Sequence, residues 1–300
     1  MALKFAYNFG MSISKTDSCR LCPNECGVNR VNRAGRCGAS EKPKIAKYYL
    51  HPFEEPCVSG KRGSGTVFFC GCGLKCVFCQ NYAVSNNLTG KEITVKELAE
   101  IFRRLEDMGA ENINLVNPTH FVPQIAEAFS LYRPKIPVVY NTHGYEKEET
   151  LEIANTFTDV YLPDMKYFSP KVSERYSGIK NYFPVASKAI DFMIKCRKTR
   201  FNGDMMTSGV IVRHLILPLN TADSVEIIKW FSQYKNEAYF SLLGQYTPFG
   251  KIENFKELQR RITRREYEKV YSALLDAGIE NYFVQELSSA SEEYIPKWDF

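Results

Sequence analysis

The sequence has no long hydrophobic run. No window of its 300 residues approaches the roughly 18 consecutive apolar residues that a transmembrane helix requires, and the N-terminal residues lack the apolar core of a signal peptide. Internal repeats and low-complexity tracts are also missing. Charge of one sign is not in strong excess, because 39 Lys and Arg against 34 Asp and Glu leave a net charge of only +5. We therefore expect a globular cytoplasmic protein that has no membrane partner and does not require an anionic one.

Cysteine is scarce over most of the chain and concentrated at one end. Beyond Cys79 only Cys196 occurs, whereas nine of the ten cysteines lie between Cys19 and Cys79. A disulfide framework is typical of a small secreted domain and would not be confined to one end of a chain of this length. The distribution therefore favours metal or redox chemistry.

The composition divides the chain into three parts. Residues 1–18 are predicted to be a tail. Residues 19–64 are rich in Cys, Gly, Pro and Arg and have little periodicity, so we expect loops that a metal holds together. Residues 65–300 alternate short apolar runs with helix-period segments, which predicts one α/β domain.

Six β–α units are predicted in that domain. Strands are expected at Thr66–Cys70, Ile113–Asn117, Ile136–Asn141, Asp159–Leu162, Val210–Leu217 and Ala238–Leu242, with a short edge strand at Tyr282–Gln285. Helices are expected at Thr94–Met108, which a Thr94–Glu97 capping box begins, from about Val122, near 147–155, 182–198 and 223–235, and at Phe255–Ala277. Six parallel units are too few for an eight-fold barrel. The predicted fold class is therefore α/β: a partial (β/α)6 barrel with a Cys-rich, metal-stabilised N-terminal extension. We expect its active site at the carboxyl ends of the strands.

A loop with three cysteines follows the first predicted strand of the barrel. Cys72, Cys76 and Cys79 have the spacing C-x3-C-x2-C. Three thiolates on one short loop can hold three irons of a 4Fe–4S cluster and leave the fourth iron open to a substrate. A zinc site would prefer four ligands, usually in two separated pairs. The loop therefore predicts a catalytic iron–sulfur cluster.

This loop resembles the signature C-x3-C-x-φ-C of the radical S-adenosylmethionine (SAM) superfamily, with Phe78 as the aromatic residue φ. The wider segment GSGTVFFCGCGLKCVFCQNYAVS resembles uncharacterised homologues of the pyruvate formate-lyase activating enzyme. Further similar segments are HPFEEPCVSG, NLVNPTHFVPQI, YNTHGYE, YLPDMKYF, LLGQYTPF and VQELSSA, so the resemblance extends over nearly the whole chain.

The resemblance implies an oxidoreductase that cleaves SAM. Cys72, Cys76 and Cys79 would hold the 4Fe–4S cluster, and the amino and carboxylate groups of SAM would chelate its open iron. An electron from a reductant such as flavodoxin or ferredoxin would then yield methionine and a 5′-deoxyadenosyl radical, which takes hydrogen from a substrate. A glycyl-radical enzyme is the leading candidate partner. The alternatives are radical modification of a small molecule, peptide or RNA, and a non-catalytic metal-stabilised binding or electron-transfer module.

Candidate SAM-binding residues follow the predicted strands. The superfamily has a GGE stretch after the second strand, where this chain has Asn117, Pro118 and Thr119; their carbonyls and hydroxyl could accept from the SAM ammonium group. His120, next in sequence, is predicted to be structural or to face the site. Arg213 matches an arginine that pairs with the SAM carboxylate in activating enzymes, since a guanidinium binds a carboxylate bidentately.

Other segments are predicted to surround the cofactor. Asn141 and Thr142, with Asp164 and Lys166, align with two segments that enclose a monovalent cation in activating enzymes. Because Asn141 stands where that family has Asp, an Asp164–Lys166 ion pair beside the cofactor is the alternative. The remaining candidates for this region are Phe78, Leu215, Gln245 and Tyr246.

A second group of four cysteines precedes the barrel. Cys19, Cys22, Cys26 and Cys37 can close a metal site, so their metal should be structural or electron-relaying. Zinc and a second 4Fe–4S cluster both fit the spacing, and Cys57 or Cys70 could replace one ligand. The basic run Arg260–Arg265 is predicted to be the solvated face of the long last helix, so we expect no nucleic-acid partner.

Overall fold

The computed structural model describes residues 18–285. The predicted tail, apart from residue 18, and residues 286–290 of the segment VQELSSA lie outside this range. The strands are β1 Lys44–His51, β2 Ser64–Phe69, β3 Lys91–Glu92, β4 Ile113–Val116, β5 Val138–Thr142, β6 Val160–Pro163, β7 Arg200–Asn202, β8 Met205–Leu215, β9 Tyr239–Leu243 and β10 Tyr282–Gln285. The helices are α1 Pro56–Ser59, α2 Tyr82–Ser85, α3 Val95–Asp107, α4 Val122–Leu131, α5 Glu148–Ala154, α6 Pro170–Ser177, α7 Tyr182–Cys196, α8 Thr221–Phe231 and α9 Arg264–Asp276.

One mostly parallel sheet organises the molecule. Its strand order is β10-β9-β8-β6-β5-β4-β2-β1-β3, and β7 pairs with β8 beside this path. The strands β2, β4, β5, β6, β8, β9 and β10 pair in parallel, whereas β1 is antiparallel to β2 and β3 is antiparallel to β1. Within residues 18–285 the sheet does not close, since β10 and β3 end it. The predicted open α/β architecture is therefore confirmed.

The sequence pattern explains the parallel strands and their helices. Every residue of β2, β5 and β6 is buried, as expected for strands covered on both faces. Helix α3 begins with the predicted capping box: Thr94 Oγ1 accepts from Glu97 N at 3.2 Å, and Glu97 Oε2 accepts from Thr94 N at 2.7 Å. Across its buried face, Phe102 of α3 stacks on Phe129 of α4 at 4.5 Å between ring centroids. In the described part of the chain, none of the helices has the length and apolar character needed to cross a bilayer.

The prediction that residues 19–64 form only loops is wrong. Residues 44–51 form β1, which pairs with β2 from Ile45–Phe69 to His51–Ser64. Most positions of β1 are only half-buried, so it lacks the continuous apolar run of the central strands. Strand propensity depends on packing against neighbouring strands, so a half-buried strand of this kind leaves little signal in the sequence.

The predicted helix Phe255–Ala277 is also wrong as one element. The chain forms a 3₁₀ turn at Lys256–Gln259, is extended at Arg260, and starts α9 only after Thr263. Thr263 and Glu266 form a second capping box, with Glu266 N donating to Thr263 Oγ1 at 3.2 Å. Arg260 therefore lies outside the helix and donates to Glu266 at 2.8 and 2.9 Å.

The short helix α1 closes the amino-terminal end of the parallel strands. Its residues Cys57 and Val58 belong to a small apolar cluster with residues of β5, β6 and β8. Asn112, just before β4, donates from Nδ2 to the Val58 carbonyl at 2.6 Å. Because α1 lies at the amino-terminal ends of the parallel strands, Glu54 and Glu55, which precede it, reach the space between the strands from that end.

Candidate functional site

A cavity of about 270 Å³ opens at the carboxyl ends of the parallel strands. It is lined by twelve of the predicted site residues: Cys72, Cys76, Phe78, Cys79, Asn117, Asn141, Thr142, Asp164, Lys166, Arg213, Leu215 and Gln245. Parallel strands bring their carboxyl ends to one edge, which explains why residues distant in sequence meet here. Pro118, Thr119 and Tyr246 are not among the lining residues.

The cysteine loop lies directly after β2. Each of its sulfurs accepts one hydrogen bond: Cys72 Sγ from Leu74 N at 3.4 Å, Cys76 Sγ from the Tyr167 hydroxyl at 3.1 Å, and Cys79 Sγ from the Ser85 hydroxyl at 3.2 Å. Burial raises the pKa of the Cys76 thiol to about 12 and raises the pKa of Cys79 as well. These thiols need a bound cation to become thiolates at neutral pH, and cluster iron is such a cation.

The number and spacing of the three cysteines suit a cluster better than a single zinc ion, which usually takes four ligands. The three cysteines of a cubane bind different irons, so their sulfurs need not converge as zinc ligands do. Hydrogen bonds to the sulfurs are also a known influence on the potential of a cluster.

The aromatic residue of the loop is held by a ring of tyrosines. Phe78 packs edge-on against Tyr167, Tyr176 and Tyr246, with centroid distances between 6.1 and 6.3 Å. The Tyr246 hydroxyl donates to the Leu258 carbonyl at 2.7 Å. The prediction that Tyr246 lines the substrate or adenine side is therefore wrong, since it lies behind Phe78.

The guanidinium of Arg213 is hydrogen-bonded to three side chains of the same chain. Its Nη1 donates to Glu54 Oε2 at 3.0 Å, its Nε donates to Asp164 Oδ1 at 3.1 Å, and its Nη2 donates to the side-chain oxygen of Asn141. The side chain is only 15% exposed. We predicted that Arg213 pairs with the SAM carboxylate; in this structure every nitrogen of the guanidinium already has an acceptor from the chain.

The predicted ion pair between Asp164 and Lys166 is present. Lys166 Nζ donates to Asp164 Oδ2 at 2.7 Å. Burial alone would lower the pKa of Lys166, but Asp164 and the neighbouring Cys76 raise it, so the ammonium stays charged. An ammonium has three N–H donors. Lys166 therefore keeps donors that can face a ligand in the cavity.

Asn117, Pro118 and Thr119, which follow β4, were predicted to accept hydrogen bonds from the SAM ammonium group. Asn117 adopts a positive φ of 58° and donates to the Gly71 carbonyl, while its buried Oδ1 has no partner within the described range. Thr119 donates to Glu146 Oε1 at 2.6 Å and does not face the cavity. The Pro118 carbonyl accepts from a backbone N–H of the following 3₁₀ turn. Of the three residues, Asn117 alone lines the cavity.

The His120 side chain packs in the interior and contacts the backbone after β2. It is buried, and its Nε2 lies 2.7 Å from the Cys70 carbonyl. Burial lowers its pKa to about 3, so the ring is neutral at pH 7. Of the two roles predicted for His120, the geometry supports the structural one.

Two carboxylates of the cavity, Glu54 and Glu55, were not predicted. Glu54 Oε1 accepts from Asn114 at 2.8 Å and from Asn141 at 3.2 Å, in addition to the ion pair with Arg213. Glu55 precedes α1 and is 4% exposed. The segment HPFEEPCVSG contains the signal, because two adjacent glutamates stand close to the apolar residues Cys57 and Val58, which are buried.

The four-cysteine segment packs directly on the cysteine loop. Cys72 N donates to the Cys37 carbonyl at 3.2 Å, and Arg36 Nε donates to the Gly73 carbonyl at 2.9 Å. A Cβ added to Gly71, whose φ is +93°, would lie 2.6 Å from the Cys37 carbonyl oxygen, so only glycine permits this approach. The predicted extension is therefore in contact with the loop that it precedes.

The sulfurs of the extension also accept backbone donors. Arg36 N donates to Cys26 Sγ at 3.3 Å and Ala39 N donates to Cys37 Sγ at 3.4 Å. Burial raises the pKa of Cys37, and the nearby Cys19 and Cys26 thiols raise it further. Amides that face thiol sulfurs are compatible with a metal site. Within residues 18–285, however, no three or more His, Cys, Asp or Glu side chains come together as a site for a metal ion, so the metal on these four cysteines stays a prediction.

The two alternative ligands lie elsewhere. Cys57 is buried in the apolar cluster beneath the sheet. Cys70 donates from its thiol to the Thr89 carbonyl at 3.3 Å.

The chain is similar to known proteins in sequence and in fold. Residues 66–231, more than half of the chain, match the family model of the radical SAM superfamily. An uncharacterised protein of Methanocaldococcus jannaschii is 32% identical over 262 residues, which cover 84% of this chain and 72% of that protein. A solved domain of a pyruvate-formate lyase-activating enzyme from Bacteroides vulgatus is 11% identical, with a TM-score of 0.38 over 64% of this chain and 91% of that one. Methylornithine synthase is 12% identical, with a TM-score of 0.46 over 74% of this chain and 70% of that one.

Proposed function

The chain belongs to the radical SAM superfamily, and we propose that it is an oxidoreductase whose cluster is held by Cys72, Cys76 and Cys79. When bound, the 4Fe–4S cluster and SAM supply an electron and a 5′-deoxyadenosyl group that takes hydrogen from an organic substrate. The protein holds both groups in place and excludes water and other hydrogen donors.

The observation that carries this proposal is the environment of the three cysteines. They share one loop at the mouth of the cavity, each sulfur accepts one hydrogen bond, and Cys76 and Cys79 lie where a free thiolate would be costly. Such thiols are poor nucleophiles by themselves, so a role as cluster ligands accounts for them better than a role in thiol chemistry.

We assign the SAM carboxylate to Lys166 instead of Arg213. Lys166 lines the same cavity as the cysteine loop, and its charge reaches Cys76 and Cys79. Lys166 pairs with one carboxylate and keeps two N–H donors, whereas Arg213, which also keeps two, already has two carboxylates of the chain, Glu54 and Asp164, to balance its charge. The unpartnered Oδ1 of Asn117 is suited to accept from the SAM ammonium group.

A metal on Cys19, Cys22, Cys26 and Cys37 would support the cysteine loop from outside the cavity. The backbone hydrogen bond from Cys72 to Cys37 and the side-chain hydrogen bond from Arg36 to the Gly73 carbonyl make that support direct. Zinc would act structurally, and a second 4Fe–4S cluster would also provide a path for electrons. The flavodoxin or ferredoxin reductant and the glycyl-radical partner stay predictions.

The proposal is tested by electron paramagnetic resonance of the anaerobically reconstituted, reduced protein with and without SAM. We expect a 4Fe–4S signal that changes when SAM is added, and we expect the triple variant of Cys72, Cys76 and Cys79 to Ala to lose the SAM-responsive signal. The matched control is Cys196→Ala, since Cys196 ends α7 and does not line the cavity. A SAM-responsive signal that survives in the triple variant would exclude these three ligands.

A further inference from the structure

Glu55 occupies the floor of the cavity, away from the cysteine loop. It precedes α1, which lies at the amino-terminal ends of the strands, whereas the cysteines follow the carboxyl end of β2. Its carboxyl group is buried, yet Oε2 has no hydrogen-bond partner within residues 18–285. A buried carboxyl oxygen without a partner is costly, so this oxygen is suited to accept a hydrogen bond from a ligand in the cavity.

Acidic groups outnumber basic groups around Glu55. Three carboxylates line the cavity, those of Glu54, Glu55 and Asp164, and they face two cations, Arg213 and Lys166. Lys166 is paired with Asp164, and Arg213 is shared between Glu54 and Asp164. The carboxyl groups therefore outnumber the cations by one, and among these three Glu55 is the one without an ion pair at hydrogen-bond distance. Burial raises the pKa of Glu55, so its carboxylate form is favoured only when a cation is bound beside it.

Other hydrogen-bond acceptors without a partner line the same cavity. Besides Glu55 Oε2, the side-chain oxygens of Gln245 and Gln285 line the same cavity and have no partner in the described part of the chain. Phe53 and Phe68 supply an aromatic wall, and each lies edge-on to His51 at 5.6 and 6.2 Å. A ligand that donates hydrogen bonds at one end and is apolar along its length matches these surfaces.

We propose that Glu55 binds a protonated primary amine at the end of an aliphatic chain of the substrate. The inference rests on the proposed function, because it assigns a substrate class to the cavity that the cysteine loop shares. The ammonium group would donate to Glu55 Oε2 and balance the charge of its carboxylate, and the aliphatic chain would lie against the aromatic wall on the way to the cysteine loop. Glu55 is a binding residue in this account and takes no part in the transfer of hydrogen.

The test compares a charged and a neutral probe of the same length. Butylammonium chloride and 1-butanol are titrated by calorimetry into the anaerobic holoenzyme at constant ionic strength. We expect the amine to bind at least tenfold more tightly than the alcohol, and we expect Glu55→Gln to abolish the difference. Glu149→Gln is the matched control, because Glu149 is 64% exposed on α5 and should leave the preference intact.

The outcomes separate this inference from the proposed function. Equal binding of the two probes to the wild-type holoenzyme, or a preference that persists in Glu55→Gln, would overturn the role of Glu55. The wild-type comparison needs no variant, so it still tests the inference if thermal unfolding shows that Glu55→Gln is misfolded. Formation of 5′-deoxyadenosine by the same wild-type preparation reports on the proposed function independently of amine binding.

Discussion

Removal of Arg213 should destabilise the protein far more than removal of an exposed arginine. Arg213 is the guanidinium between Glu54 and Asp164, whose side chains are 9% and 21% exposed. Asp164 keeps Lys166 as its partner at 2.7 Å, but Glu54 keeps only the neutral amides of Asn114 and Asn141. Most of the cost of Arg213→Met should therefore come from the Glu54 carboxylate, which is left buried without a cation.

The expected magnitude follows from that burial. Breaking a buried ion pair by removing one partner costs about 3–5 kcal/mol of unfolding free energy, which lowers the melting temperature on the order of 10 °C for a chain of this size. Arg62→Met is the matched control. Arg62 also pairs with a glutamate at 2.7 Å, but its side chain is 61% exposed, so the loss should stay below about 1 kcal/mol.

A double variant identifies the source of the loss. Differential scanning calorimetry of the anaerobic holoprotein should show that Arg213→Met with Glu54→Gln is more stable than Arg213→Met alone, because the unpaired carboxylate is gone. The reasoning would be refuted if Arg213→Met melted within the range of Arg62→Met, or if Glu54→Gln added its full cost to that of Arg213→Met.

Three further predictions concern the cofactor, the extension and pH. Lys166→Met should raise the SAM dissociation constant at least tenfold in equilibrium dialysis, while Lys171→Met, on the exposed face of α6, should leave it unchanged; equal affinities would remove Lys166 from the SAM site. Replacing Cys19 and Cys22 together by Ser should release zinc or iron in metal analysis and expose the extension to protease, while the cluster of the barrel persists; full metal retention would exclude the four-cysteine site. Burial raises the pKa of Glu146 to about 7 from 4.5. The native carboxyl therefore holds its proton more tightly than the unfolded one, and its contribution to stability is complete below pH 4.5 and is lost as the pH rises through 7. Glu146→Gln should remove that part of the pH dependence, about 3 kcal/mol, and an unchanged profile of unfolding free energy against pH would contradict the shift.

The parallel sheet could be predicted because its signals are local. Each central strand is a short apolar run, and Thr94 with Glu97 marks the start of α3. The same reasoning failed at β1, a half-buried strand that lacks a continuous apolar run. It also failed at Thr263, where a capping box of the same kind begins α9 inside a segment that was predicted to be one helix.

The cavity residues were predictable for a topological reason, since the carboxyl ends of parallel strands meet at one edge. Glu54 and Glu55 come from a segment that precedes the parallel strands and reach the cavity only because α1 folds beneath the sheet. Of the two carboxylates that pair with Arg213, Asp164 was a predicted site residue and Glu54 was not. The pairing of Arg213 with the SAM carboxylate stays a prediction.

Cleavage of SAM at a cluster held by Cys72, Cys76 and Cys79 is measured through its product. Anaerobically reconstituted protein is reduced with dithionite, incubated with SAM, and analysed for 5′-deoxyadenosine by liquid chromatography and mass spectrometry. We predict release of 5′-deoxyadenosine by the wild type and by Cys196→Ala, and none by the variant in which Cys72, Cys76 and Cys79 are all Ala. Equal release by the triple variant, or none by wild-type protein that carries its full complement of iron, would contradict the account.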